Sequence, residues 1–260
     1  LKFENKELTN TETKEKLSKY LFNGGYPEIL LKKVELKEYL SLLFNSILYK
    51  DIIKRYKIRN FKQIEDLATY LISNIANEYS YNSLAKIGKI KSSHTIEKYL
   101  GYLEESFILF SLSRFSYKVK EQLSSNKKIY CIDNGFIQAK SFKASPDLGK
   151  LYENVVAYKL KKQEVDGKLS FYYWKNQQQE EIDFVIKEGI KIKQLIQVCF
   201  DINNLETKNR EIRALIKAGK ELKCNNLLII TEDTESEEKT EWFGDKATIR
   251  FIPLWKWLLA

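Results

Sequence analysis

The chain has no methionine, three prolines and a single histidine in 260 residues. It opens on Leu1 rather than Met, and with no methionine anywhere it reads as a fragment or processed product of a longer protein. The lone histidine, His94, takes His-based metal clusters out of consideration. The three cysteines, Cys131, Cys199 and Cys224, are far apart and form no CxxC, which excludes a disulfide framework and a zinc ribbon and suits a reducing cytoplasm. No apolar run approaches the roughly 18 residues of a membrane span, and no basic-plus-apolar signal segment opens the sequence. A soluble, cytoplasmic protein with no membrane partner is expected. The phosphate-binding pattern GxxxxGK[ST] is also missing, so no ATPase engine lies within these residues. There is no internal repeat.

What the chain has in excess is positive charge. Forty-four Lys and Arg against 35 Asp and Glu give +9. Basic surface neutralises phosphates and releases counterions, so a polyanionic partner such as DNA is favoured. A heavy load of Lys and Glu also suits a thermophile's surface, which says nothing about partners. The length exceeds the ~100–200 residues of one domain, so two or three domains are expected.

Three segments follow from the hydrophobic periodicity. Residues 1–60 form a helical connector: TETKEKLSKYLF and ELKEYLSLLFNSILYKDIIKRY carry apolar residues at helical spacing, separated by NGGYPEIL, whose Gly24, Gly25 and Pro27 break the helix. The basic run KDIIKRYKIRNFK is either a solvated helix end or a phosphate-contacting surface. Residues 61–126 give three short helices, the third capped by Ser93, and then the alternating, strand-like ILFSLSRFSYKVK. Three helices followed by a ribbon is the order of a winged helix-turn-helix. Its recognition helix would present Ser93, His94, Thr95 and Lys98, and its wing Arg114, Lys118 and Lys120. Between Tyr81 and Lys120 basic residues outnumber acidic ones seven to three, which suits DNA, although winged helices also dock proteins. Residues 127–260, beginning with KIYCID, alternate strands and helices and predict an α/β layer with a mixed sheet. TEDTESEEKTEW reads as a charged loop between the last two strands.

The stretch EEIDFVIKEGIKIKQLIQVCFD, two apolar strands about Gly189, carries the chemistry. Metal-dependent DNA cleavage needs carboxylates that hold Mg²⁺ or Mn²⁺ against the phosphate and often a lysine that acts on the attacking water. In the restriction-endonuclease-like PD-(D/E)xK arrangement these are a helical Glu, a strand Asp and a Glu-x-Lys on the next strand. Here Glu153 and Asp183 occupy the first two places as candidate metal ligands, while Gln197 and Cys199 stand where Glu and Lys belong. Gln197 can still offer a carbonyl oxygen. Cys199 cannot replace an ammonium. Lys193 lies ~13 Å from Gln197 along a strand, too far to substitute, and a lysine on the next helix, Lys208 or Lys220, stays open. Taken singly, Glu153 is a first-turn helix carboxylate and Asp183 a buried group satisfied by backbone amides. Arg210 and Glu211 either line the same cleft or pair on the helix surface.

The succession LFNGGYPEIL, YKDII, SSHTIEKYLGYLEESFIL, KIYCIDNGF, GKLYENVVAYKL, YYWKNQQQEEIDFVI, IQVCFD and ETKNREIRALIKAG resembles the C-terminal half of archaeal and bacterial AAA+ ATPases that carry a winged helix followed by a PD-(D/E)xK nuclease-like domain. The resemblance implies an ATP-binding domain upstream of Leu1, DNA binding through the winged helix at Ser93, His94, Thr95 and Lys98, and a nuclease-like domain that is frequently degenerate. It gives KDIIKRYKIR only a connector role. The expected fold is therefore mixed: N-terminal helices and a winged helix-turn-helix, then an α/β restriction-endonuclease-like domain with a mixed sheet. The leading functional reading is the DNA-binding, regulatory part of an AAA+ ATPase whose nuclease site has decayed. An active Mg²⁺- or Mn²⁺-dependent deoxyribonuclease and a protein-docking platform are the alternatives, and an oligomer is left open.

Overall fold

The computed structural model describes residues 9–32, 34–142 and 147–260. The first eight residues of the predicted 1–60 connector lie outside them. The described chain is mixed α/β, with a helical N-terminal region and a mixed six-stranded sheet.

Helix α1 (Asn10–Asn23) begins on a capping box in which Thr9 accepts from Glu12 N–H and the Glu12 carboxylate reaches back to Thr9 N–H. It ends at Gly24, whose φ of +77° is available to glycine at little cost. After α2 (Pro27–Lys32), α3 (Leu36–Ile47) runs into a π-helical turn, Leu48–Lys54, that buries Leu48 and Ile52. The basic side chains of this turn and its exit, Lys50, Lys54, Lys57 and Arg59, are exposed. Tyr56 anchors the segment by stacking on Tyr102 with ring centroids 3.7 Å apart.

Next come α4 (Phe61–Ser73), β1 (Glu78–Tyr79), α5 (Tyr81–Ile87), α6 (Ser93–Glu105), β2 (Leu109–Ser113), α7 (Val119–Ser124) and β3 (Lys127–Cys131). The strands form an antiparallel sheet in the order β1-β3-β2. Three details differ from the sequence reading. The cap position of α6 is Ser92, with no side-chain cap bond, and Ser93 is the first helical residue. The predicted ribbon stops at Ser113, and Val119–Ser124 is helical. KIYCID, read as the first strand of the α/β layer, pairs with β2 instead, in the register Leu109↔Cys131 to Ser113↔Lys127.

The second sheet has the order β4-β5-β6-β7-β9-β8 and follows α8 (Asn134–Lys140) and α9 (Leu148–Val165). Its strands are β4 (Ser170–Lys175), β5 (Glu181–Glu188), β6 (Lys191–Val198), β7 (Leu227–Thr231), β8 (Ser236–Trp242) and β9 (Asp245–Pro253). Helix α10 (Leu205–Leu222) carries the chain from β6 to its parallel neighbour β7, and α11 (Leu254–Leu259) closes the described chain. The acidic stretch read as a loop is the edge strand β8. Its side chains alternate between exposed and half-buried, and charge suits an edge that must not recruit another strand. The turn into β9 uses Phe243 and Gly244, both at positive φ. Two such residues define a type I′ hairpin, but Phe in the first place is not the Asn or Asp that signals it.

Apolar side chains of α9 cover one face of this sheet, against Phe171, Phe184, Ile196, Leu228 and Ile230, and belong to a core that continues through the N-terminal helices and the three-stranded sheet. Helix α10 covers the other face with Ile212, Leu215, Ile216 and Leu222. Three stretches quoted above interlock beneath α1. The Asp133 carboxylate accepts from Gly25 N–H and Gly135 N–H, both at 2.7 Å. A Cβ on Gly24 would come within 1.8 Å of that carboxylate. Asn134 donates to the Leu21 carbonyl, and buried Asn154 bonds Cys131 N–H, the Cys131 carbonyl and the Asn134 side chain. The glycines of NGGYPE, the DNG of KIYCIDNG and the Asn of LYEN are thus parts of one joint. No described helix is long and apolar enough to cross a membrane.

Candidate functional site

The site gathers where β3 of the first sheet meets α9, β5 and β6. Residues two apart on a strand share a face, so Lys128 and Tyr130 of β3 point the same way, toward α9 and β5. Lys128 is 2% exposed. Its Nζ lies 2.9 Å from Glu153 Oε1, 2.5 Å from Glu181 Oε1 and 3.2 Å from Asp183 Oδ1. Tyr130 adds a hydroxyl donor to Glu153 Oε1 at 2.6 Å. On its other side Asp183 accepts Val198 N–H through Oδ2 at 2.9 Å.

Gln197 continues the chain of contacts. Its Oε1 accepts Asp183 N–H at 3.0 Å and its Nε2 donates to Glu211 Oε2 at 2.5 Å. Arg210 closes the series on Glu211 Oε1, with Nε at 3.0 Å and Nη2 at 2.6 Å. At the opposite end Lys175 pairs with Glu78 and lies 3.7 Å from Glu181. Lys175, Lys128 and Arg210 thus each meet carboxylates, and the neutral Gln197 amide links the Asp183 main chain to Glu211.

Burial sets the protonation of this network. It pushes the Glu153 carboxyl up to about 7; neighbouring Asp183 adds to the rise, and Lys128 and Tyr130 oppose it. Burial likewise raises Glu181 and Glu211. For Lys128 burial favours the neutral amine, but Glu153, Tyr130, Asp183 and Glu181 outweigh it and hold its pKa well above the ordinary lysine value. The site carries an ammonium at neutral pH. Burial, with Glu211 next, raises the Cys199 thiol to about 11, so Cys199 stays neutral.

A stability prediction follows. Between about pH 4.5, the ordinary carboxyl value, and about pH 7, native Glu153 retains a proton that the unfolded chain has lost. Native structure therefore binds more protons in that window, and stability should fall as pH rises through it, by up to ~1.4 kcal/mol per pH unit. Urea unfolding across the window measures this. Glu153→Gln should flatten the slope, and an equal slope in both proteins would assign it to another group.

The structure brings together Glu153, Asp183 and Gln197, as the sequence reading grouped them. Cys199 lies just past β6, buried against the α10 side of the sheet, its Sγ 3.5 Å from the Asp201 carbonyl. The two lysines left open do not reach the site: Lys208 pairs with Glu238 at 2.7 Å and Lys220 with Asp245 at 2.8 Å. Lys193 pairs with Glu188. Of the pair offered both roles, Glu211 enters the site and Arg210 pairs with it at the rim. Sequence reasoning missed Lys128, Tyr130 and Glu181. The available signal was the alternation of KIYC, which places Lys128 on the same face as an aromatic residue inside an otherwise apolar strand.

A Mg²⁺ or Mn²⁺ ion at Glu153 and Asp183, as the resemblance implies, does not fit this donor set. The inward oxygens already converge on the ammonium, the outer Asp183 oxygen is held by a backbone amide, and the Gln197 carbonyl oxygen is taken by Asp183 N–H.

The second group of predicted residues is at the start of α6. Ser92, Ser93, His94 and Lys98 are exposed and Thr95 is half-buried. His94 Nδ1 lies 3.5 Å from Glu97. Lys86, Lys89 and Lys91 are exposed nearby in sequence on α5 and the turn before α6. Lys118 pairs with Glu121, and Lys120 is exposed on α7. Half-buried Arg114 instead donates to the Lys175 carbonyl, and Phe115 N–H donates to the Tyr173 carbonyl at 2.6 Å, so this segment stitches the two sheets together.

Comparison with known proteins gives two family matches that together span most of the chain: the domain of unknown function DUF8612 over residues 14–146, and the domain of unknown function DUF4143 over residues 148–257. An uncharacterized protein of Methanocaldococcus jannaschii is 37% identical over 279 residues, covering 100% of this chain and 60% of the relative. An uncharacterized protein of Haemophilus influenzae is 30% identical over 202 residues, covering 74% of this chain and 48% of the relative. The chain thus spans about half to three fifths of these relatives' length.

Proposed function

We propose, for a chain that belongs to the DUF8612 family, that it is the DNA-gripping, regulatory part of a longer ATPase. In this reading α4, α5 and α6 with the β1-β3-β2 sheet are a winged helix, and α6 is its recognition helix. The six-stranded unit is a nuclease-like fold that serves as a second binding surface. ATP is bound by a domain outside these residues. The element order α4-β1-α5-α6-β2-α7-β3, a winged-helix order with one extra short helix between the last two strands, supports the first assignment, and the resemblance to AAA+ proteins supports the last.

The observation that carries DNA binding is the surface around the start of α6. Hydroxyls of Ser92 and Ser93, the imidazole of His94 and the ammoniums of Lys86, Lys89, Lys91 and Lys98 are all exposed, and among the described residues none of these lysines is in an ion pair. Lysines around a helix start suit phosphate contacts, and short polar side chains there suit base edges. Lys91→Ala with Lys98→Ala should lower affinity for duplex DNA across all sequences and reduce the slope of log affinity against log salt by about 1 per lysine. Fluorescence anisotropy over a salt series measures both quantities. Unchanged affinity and slope would remove α6 from the account. Arg114→Ala is a poor probe, because its guanidinium holds the Lys175 carbonyl.

A protein-docking reading has one observation of its own. Tyr117, Val119 and Leu123, between β2 and β3, are 71%, 70% and 74% exposed. An apolar protein interface would leave binding nearly independent of salt, which the same series distinguishes.

A further inference from the structure

The geometry points to Lys128 as the resident cation of the carboxylate centre: its ammonium fills the position between Glu153, Glu181 and Asp183 that a divalent ion would have to take, so the intact chain excludes Mg²⁺ and Mn²⁺, and removing the ammonium turns the centre into a divalent-ion site. Three carboxylate oxygens from three places in the chain converge within 3.2 Å of one nitrogen. Such convergence is what a hard cation requires, and an ammonium with three donors meets it without metal. The ammonium is tethered, so a free ion must compete with an intramolecular one of high effective concentration.

Nor can the lysine easily withdraw. Residue 128 is flanked on both sides of its strand, registered against Glu78 of β1 and Leu112 of β2. Tyr130, two residues on, holds Glu153 from the same face. Taking the ammonium away leaves three carboxylates facing one another, and a divalent ion is the species that most reduces their repulsion. The inference concerns cation occupancy alone and stands whether or not α6 binds DNA.

Mn²⁺ binding by electron paramagnetic resonance and thermal unfolding with and without MnCl₂ test this on the full chain, in wild type, Asp183→Asn, Lys128→Ala and Lys128→Ala/Asp183→Asn. Wild type should hold no Mn²⁺ that Asp183→Asn removes, and its Tm should not respond to the ion through this site. Lys128→Ala should bind one Mn²⁺ at least about tenfold more tightly than wild type, with a Tm that climbs with MnCl₂ because the ion binds the native state. Asp183→Asn in that background should abolish both effects. If Lys128→Ala fails to fold, folding on addition of MnCl₂ supports the assignment, and Lys128→Gln, which keeps a donor for Glu153, takes the same measurements. A wild-type Mn²⁺ site lost in Asp183→Asn overturns the proposal, as does absence of Mn²⁺ binding by both Lys128 variants.

Discussion

Lys128→Ala, measured without divalent ions, should lose about 3–5 kcal/mol of folding stability, the range for removing one partner of a buried ion pair. The loss comes less from the missing attraction than from what remains. Glu153, Glu181 and Asp183 are held by α9 and β5 in positions chosen for a cation, and their side chains are only 13%, 26% and 10% exposed. Glu153 can soften the blow by holding its proton to higher pH, since its carboxyl already sits at about 7. The double variant Lys128→Ala/Glu153→Gln should therefore be less unstable than the two single losses added together. Urea unfolding of the four proteins gives the coupling. Strict additivity, or a loss under about 1 kcal/mol, would mean the ammonium behaves as a solvated surface charge despite its burial.

Writing a Glu-x-Lys pair into the chain, as Gln197→Glu with Cys199→Lys, should break the fold locally. The Gln197 amide nitrogen is a donor 2.5 Å from Glu211 Oε2. A carboxylate oxygen in its place would confront another carboxylate in a buried setting, and one of the two must take a proton. Cys199 is 4% exposed and lies among the α10-side apolar residues. A lysine there must bury its ammonium or displace its neighbours. The two changes together should cost about 4 kcal/mol or more. Glu211→Gln, which restores a donor opposite residue 197, should recover part of the loss caused by Gln197→Glu. Thermal unfolding reads all of these, and a double variant as stable as wild type would show that the pocket accepts the pair. The two departures from the nuclease pattern are thus tied to their surroundings: Gln197 to the carboxylate of Glu211, Cys199 to the packing of α10.

Some of this was legible because the order and spacing of elements are carried along the chain. Glu153 and Asp183 were found by their places in the helix-then-hairpin order of the PD-(D/E)xK pattern, although Glu153 lies beyond the first turn of α9, where the residue taken singly was expected. Lys128 was not found this way. In a chain so rich in lysine the default reading of one more is solvent, and its neighbour Lys127 fits that reading better, being only half-buried and beside the Tyr81 ring. The alternation of KIYC puts Lys128 on the face of Tyr130, but that this face is the one covered by α9 and β5 is a long-range contact not written in local sequence. The same limit hid β8, whose acidic residues contradict strand propensity and are tolerated because an edge has one side in water. Helix positions were clearer, since 3.6-residue periodicity is carried within each segment, as in the Ile212, Leu215, Ile216 and Leu222 stripe of α10.

The apolar core runs without a break from Leu17 and Phe44 through Ile64, Leu103 and Ile129 to Val156, Phe184 and Ile230. It crosses the position where one family match ends and the other begins. Cutting the backbone there would leave each piece with a wet apolar face, so neither should persist alone as a native unit. Among the described residues, packed side chains run from α1 to α9 and β5, the elements that carry the Lys128 carboxylates.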